Sequence, residues 1–202
     1  MGLAAETIEK YQEKFSYADY LTWNDHQRWE IIDGKAYNMS PVPLESHQAI
    51  AGELLYQIKN FLKINNSRCK SYSAPFDVRF PENIKDNEKI IDVVQPDISV
   101  ICDRSKIDRR GCHGAPDFII EILSPYNANK DYTIKHELYE KNGVKEYWII
   151  DPQNKIVIVY LLSEKGVYCE PKTYKKQGKL KVTVLSNLEI DLDSVFNAPV
   201  FY

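Results

Sequence analysis

Between Pro116 and Pro125 the chain reads Asp117-Phe118-Ile119-Ile120-Glu121-Ile122-Leu123-Ser124. Within it, Phe118 to Leu123 is five apolar residues interrupted by one carboxylate, which predicts a strand covered on both faces and ended by Pro125. Such a strand sits inside a sheet with other elements packed above and below it. An ionised Glu121 is costly there unless it is paired with a cation or holds one. Two readings stand on the residues alone. Glu121 is either a salt-bridged or strand-end carboxylate, or a ligand for a bound cation.

The 202 residues are 44% hydrophobic and 27% charged, which suits one soluble folded domain spanning residues 1–202. Charges recur throughout, so no run of about 18 apolar residues exists and no membrane helix is expected. Glu6 and Glu9 interrupt the N-terminus, which lacks a secretory apolar run. Cys69, Cys102, Cys112 and Cys169 are widely spaced, with no CxxC pair. Neither a structural zinc site nor a disulfide framework is expected from them. Reduced thiols and a cytoplasmic location are the default. The formal net charge of -3 argues against a protein held on nucleic acid by charge alone. A nuclease is not excluded, because it needs local carboxylates and only a local basic face.

The apolar pattern outlines the rest of the chain. Residues 29–37 form a predicted hairpin around Asp33-Gly34, ended by residues 40–43. Ile50, Leu54, Leu55, Ile58, Phe61 and Leu62 make one stripe on a helix over residues 44–64. Ser73 to Phe80 alternates like a half-buried strand, with Asp77 and Arg79 on its polar side. Residues 81–90 read as an exposed loop, and Val93 to Ile101 as a strand. After the Glu121 strand come a helix over residues 131–142 and strands over 144–150 and 156–162. Two weaker strands are expected to about Leu185. The order predicts an α/β protein: a mixed β-sheet core flanked by helices, with an N-terminal hairpin and extra C-terminal strands.

Asp97 is the second informative acid. It follows Gln95-Pro96 and opens the apolar run Ile98 to Ile101. It is either a turn residue after proline or the partner of Glu121. Acids on neighbouring strands would bring two oxygen ligands to one Mg²⁺, which keeps water on its other positions. Lys135 lies on the helix after the Glu121 strand. It either points back over the strand end, where it can meet a phosphate, or is solvated like Lys130 and Lys141. Asp117 reads as a strand-entry residue, and Gly111-Cys112-His113-Gly114 as a tight loop. Lys172, Lys175, Lys176, Lys179 and Lys181 read as a solvated hairpin or a phosphate-facing surface.

Four ordered strings, RWEIIDGKAYNMSP, QPDISVICD, GAPDFIIEILSP and KHELYEKNGVKEYWIIDP, resemble the Uma-type family of bacterial restriction-endonuclease-like proteins. That family belongs to the PD-(D/E)xK nuclease superfamily. The resemblance spans about residues 16 to 165. It implies a restriction-endonuclease-like core with Asp97 as the first acid and Glu121 as the second. Leu123 stands where the simple motif has its lysine, and the resemblance assigns that role to Lys135. It also assigns Glu30 as a further carboxylate and His47 as a contact to a phosphate or a metal-bound water. The implied cofactor is Mg²⁺ or Mn²⁺ and the implied substrate is DNA. A homodimer is expected, because cutting both strands of a duplex uses two sites and C₂ symmetry is the commonest arrangement. The alternatives are an inactive nucleic-acid-binding or interaction module on a nuclease fold, and a hydrolase of another phosphodiester.

Overall fold

A computed structural model describes residues 14–24, 27–39, 44–81, 89–124 and 130–197. The expected turn at residues 40–43, Pro125 and most of the expected loop at 81–90 lie outside the described residues. The chain forms two compact units, the first from residues 1–41 and 79–94 and the second from 42–78 and 95–202.

In the first unit, α1 (Tyr17–Tyr20) starts at a capping box between Ser16 and Asp19. The expected hairpin is β1 (Trp29–Ile32) and β2 (Lys35–Asn38), paired antiparallel. Asp33 and Gly34, at φ 50° and 75°, make the left-handed turn that matches strand twist. Further along the chain, β5 (Val93–Val94) pairs with β1 through Ile31 and Val93. Phe15, Tyr17, Ile31, Ile90 and Val93 form the core of this unit. Arg79 is fully buried, its guanidinium 5.2 Å from the Tyr17 ring centre. It does not lie on a polar strand face as the alternation suggested, and the cation–π contact with Tyr17 offsets part of the cost of its burial.

The second unit is built on a six-stranded sheet in the order β12-β11-β10-β9-β6-β3. Its strands are β3 (Lys70–Ser73), β6 (Ile98–Ile101), β9 (Phe118–Ile122), β10 (Glu146–Asp151), β11 (Ile156–Leu161) and β12 (Lys172–Lys175). Only β9 and β10 run parallel, so a helical crossover joins them. Helix α2 (Glu45–Ile64) lays Ile50, Leu54, Ile58 and Leu62 on one sheet face, against Phe118, Ile120, Trp148 and Ile150. The hairpin of β13 (Lys179–Lys181) and β14 (Glu189–Asp191), with α4 (Leu192–Phe196), completes that core. The other face carries a π turn at Asp131–Lys135 that runs into α3 (His136–Lys141). A short 3₁₀ turn at Arg104–Lys106 leads to the small hairpin of β7 (Ile107–Asp108) and β8 (Gly111–His113). The architecture is mixed α/β, and no helix among the described residues is long and apolar enough to cross a membrane.

Several boundaries differ from the pattern. Ser73 to Phe80 is not one strand: β3 ends at Ser73 and β4 (Val78–Arg79) begins beyond Pro75. Val93 to Ile101 breaks at Pro96 into β5 and β6, which belong to different units. Proline has no N–H for a ladder and restricts its predecessor, so each run ends there. The helix expected from residue 131 opens as a π turn. The C-terminal region adds β14, beyond the two weak strands expected after β11. Cys112 lies in β8, not in a loop.

The expectation of reduced cysteines is overturned at Cys69 and Cys102, which form a disulfide. Pairing of Lys70 with Ile101 puts these two cysteines opposite one another at the next register step. Their 33-residue separation hid this, because only the strand pairing makes them neighbours. Cys112 and Cys169 keep free thiols. A disulfide closing 33 residues is worth about 3–4 kcal/mol on the loop-entropy account. Urea unfolding with and without a reductant is expected to differ by that amount, and Cys69→Ser should abolish the difference.

Glu146 locks the C-terminal region to β10. It is fully buried, and accepts hydrogen bonds from Trp148 Nε1 at 2.8 Å and the Val184 amide at 2.9 Å. Burial pushes its pKa up despite these donors. A raised carboxylate pKa means the native state binds the proton more tightly than the unfolded chain. The group's contribution is therefore fullest below the ordinary value of 4.5 and declines as pH rises through the folded pKa. Glu146→Ala should destabilise by about 2–4 kcal/mol by leaving two buried donors unpaired. Denaturation at several pH values should show that deficit larger near pH 4.5 than at neutral pH.

Candidate active site

The site is built at one end of β6 and β9. These strands pair antiparallel, with Ile98 opposite Ile120, so Asp97 and Glu121 face each other one step further on. Asp97 follows Pro96 and stands one residue before β6. Its Oδ2 accepts the Ile122 amide at 2.8 Å and His47 Nε2–H at 3.1 Å. The Asp97 side chain remains 21% exposed, and its Oδ1 accepts no hydrogen bond among the described residues. His47 comes from the first turn of α2 and is buried. Burial pulls its pKa down, but the hydrogen bond and charge of Asp97 outweigh that and leave it raised. The imidazolium is thereby favoured as a donor to Asp97.

Glu121 is 3% exposed. Its Oε1 accepts Lys135 Nζ at 2.8 Å and the Tyr139 hydroxyl at 2.6 Å. Lys135 is equally buried and lies 3.6 Å from Asp131 Oδ1. Both Asp131 and Lys135 sit on the π turn, a rare geometry that recurs at functional sites. The Tyr147 hydroxyl donates to the Asp131 carbonyl at 3.0 Å. Burial first, then the negative charge on Glu121 and Asp131, hold the Tyr147 pKa well above its usual value. It stays a neutral donor.

Asp97, Glu121, Lys135 and His47 thus meet at one end of the central strands, and neither Glu121 nor Lys135 is solvated. The salt-bridge reading of Glu121 holds too, and the partner is Lys135 itself. Glu30 belongs to the first unit, where it is fully buried on β1 opposite Tyr37. Asp117 is a clasp at strand entry, accepting the Cys102 amide at 2.8 Å and Lys145 Nζ at 2.6 Å. Sequence reasoning missed Asp131 and Tyr139 as members of the Lys135 cluster. Each stands four residues from Lys135, a spacing that puts side chains on one helix face. The same spacing links many surface residues, so it could not single them out.

The donor set can be tested against a metal. Among the described residues no group of three or more His, Cys, Asp or Glu side chains is arranged as a metal shell. Two facing carboxylates remain, one with an oxygen open toward solvent. That is a set Mg²⁺ accepts, because the ion retains several waters and takes one or two carboxylates. Asp97 offers such an ion an open oxygen, whereas Glu121 Oε1 is already held by Lys135 and Tyr139.

The fold is a mixed α/β sheet flanked by helices, with Asp97, Glu121 and Lys135 brought to one end of its central strands. The chain belongs to the Uma2 family, described as "Putative restriction endonuclease", whose profile matches residues 17–193. Membership places it among nuclease-like proteins. The crystal structure of "a putative nuclease belonging to DUF820" from Anabaena variabilis superposes with a TM-score of 0.71 at 23% sequence identity. The match covers 91% of this chain and 98% of that one, and shows that the two share a fold. No curated protein matches the sequence.

Lys135→Met should cost about 3–5 kcal/mol, because it strands a buried carboxylate. The double variant Lys135→Met/Glu121→Gln should recover much of that loss in the same urea titration. Equal losses in the single and double variants would show that the two side chains are not coupled.

Proposed function

We propose that this protein is an endonuclease hydrolysing DNA phosphodiester bonds, with Mg²⁺ or Mn²⁺ held by Asp97 and Glu121. The observation that carries the reading is the buried Lys135–Glu121 pair across the strand ladder from a partly open Asp97. A lysine and a carboxylate are not buried together cheaply, and such groups concentrate at reactive centres. A bound divalent cation would supply charge neutralisation on the phosphate and an activated water.

The chain's own residues have distinct parts in this. Asp97 presents an oxygen to solvent while its other oxygen is fixed by the Ile122 amide and His47. His47 is a positioning residue for Asp97. Lys135 pairs with Glu121 and places a cation beside it, where negative charge gathers as a phosphate is attacked. Tyr139 fixes the Glu121 oxygen that Lys135 also holds. The resemblance further assigns Glu30 as a carboxylate of the reaction, and a C₂ homodimer is the form expected wherever both strands of a duplex are cut.

Cleavage of plasmid and linear DNA with Mn²⁺ tests the proposal. Asp97→Ala and Glu121→Gln should each lose at least ~100-fold in rate, the scale of removing a group aimed at the transition state. Circular dichroism should show both folded, and calorimetry should show Mn²⁺ binding to the wild type but not to Asp97→Ala. Undiminished cleavage by a folded Asp97→Ala protein would overturn the reading. DNA binding with no cleavage, indifferent to Asp97, would favour a binding module. Glu30→Gln in the same assay tests the additional carboxylate.

A further inference from the structure

Between the turn after β3 and the β7–β8 hairpin lies a groove of about 490 Å³, in the size range of small-ligand sites (~300–1,000 Å³). One wall is an aromatic pair. Tyr72 and Phe76 stack with ring centres 4.2 Å apart and planes 5° from parallel, and both are only partly buried. The other wall is the tip of the β7–β8 hairpin, where Arg109 and Arg110 are exposed. Among the described residues neither guanidinium is paired with a carboxylate. The two acids of the groove have other duties: Asp77 Oδ1 accepts Gln95 Nε2 at 2.9 Å, and Asp108 Oδ1 accepts the Arg110 amide at 2.7 Å.

The groove is tied to the candidate active site through the backbone. Tyr72 pairs with Ser99 across β3 and β6, so its side chain stands on the sheet face that Ser99 shares with Ile119. The Ala74 amide donates to the Asp97 carbonyl at 3.1 Å, which fixes the turn carrying Phe76 against the first acid. On the far side the Cys112 amide donates to the Asp77 carbonyl at 2.8 Å. Gly111 makes that approach possible: a Cβ there would lie 2.2 Å from the Asp77 oxygen, and its φ is +125°. The arginine hairpin is therefore held against the aromatic turn and does not swing free.

We propose that this groove binds an unpaired nucleotide next to the cleaved phosphate, its base against the Tyr72–Phe76 pair and its phosphate on Arg109 and Arg110. The inference rests on the nuclease reading and narrows it. An aromatic face recognises the π-face of a base, which a fully paired duplex does not offer, and arginine matches phosphate in a two-point fork. The substrate is then a strand with an unstacked nucleotide at the site: a single strand, an overhang or a flap.

The test uses the full chain carrying Glu121→Gln, so that binding is read without cleavage. The probes are an oligonucleotide with one unpaired 2-aminopurine and the same sequence fully paired. The unpaired probe should bind tighter, with quenched fluorescence. Phe76→Leu keeps apolar bulk but no π-face. It should remove the quenching and weaken binding roughly 5- to 150-fold, the range for one stacked base. Arg109→Ala/Arg110→Ala should lower the salt slope by about 0.7, the loss of one single-strand phosphate contact. Equal binding of both probes without quenching, wild-type behaviour of both variants, or no DNA binding at all would each overturn the proposal. If both variants bind normally while the wild type cleaves, only the groove assignment fails. If the groove binds the unpaired probe as expected but the wild type cleaves nothing, only the nuclease reading fails.

Discussion

The buried ion pair of Lys135 and Glu121 sets the terms for the second unit. Each ion costs several kcal/mol to take out of water, and their attraction offsets this only with close geometry and further hydrogen bonds. Here those bonds come from Tyr139 to Glu121, with Asp131 beside Lys135. To deliver them, the π turn and α3 must lie flat on β9. The parallel pairing of β9 with β10 requires a crossover at that place, so topology and charge pairing impose the same arrangement.

The opposite face of the sheet is an ordinary apolar core, and this asymmetry suits a reactive site. Phe118, Ile120 and Ile122 point into the core under α2, while Glu121 between them points to the charged side. One strand thereby anchors the fold and presents the acid. Asp97 is placed differently. It follows Pro96, stands one residue before β6, and keeps access to solvent that Glu121 lacks.

Proline placement also shapes the surroundings. Pro75 ends β3 and begins the turn that stacks Phe76 on Tyr72, and Gly111 lets the arginine hairpin close on that turn. The aromatic pair, the arginines and the acid come from segments widely separated in the chain. Their adjacency follows from strand order and backbone hydrogen bonds, not from local pattern.

Much was legible from local chemistry. The Asp33-Gly34 hairpin, the α2 stripe and the doubly covered β9 each rest on short-range rules of turn geometry and periodicity. Asp97 and Glu121 stood out because acids inside apolar strands are expensive wherever the strand goes. Local pattern could not show that two apparent strands break at Pro75 and Pro96. Nor could it show that Cys69 meets Cys102, or that Asp131 and Tyr139 join Lys135. Those facts depend on register, which pairs residues by position across a sheet, whatever their separation along the chain. Local sequence marked the hairpin, the long helix, the doubly covered strand and the two improbable acids, through costs each residue carries with it. Only the tertiary structure decided which groups meet those costs, because a buried charge is satisfied by whatever the fold brings within a few ångströms.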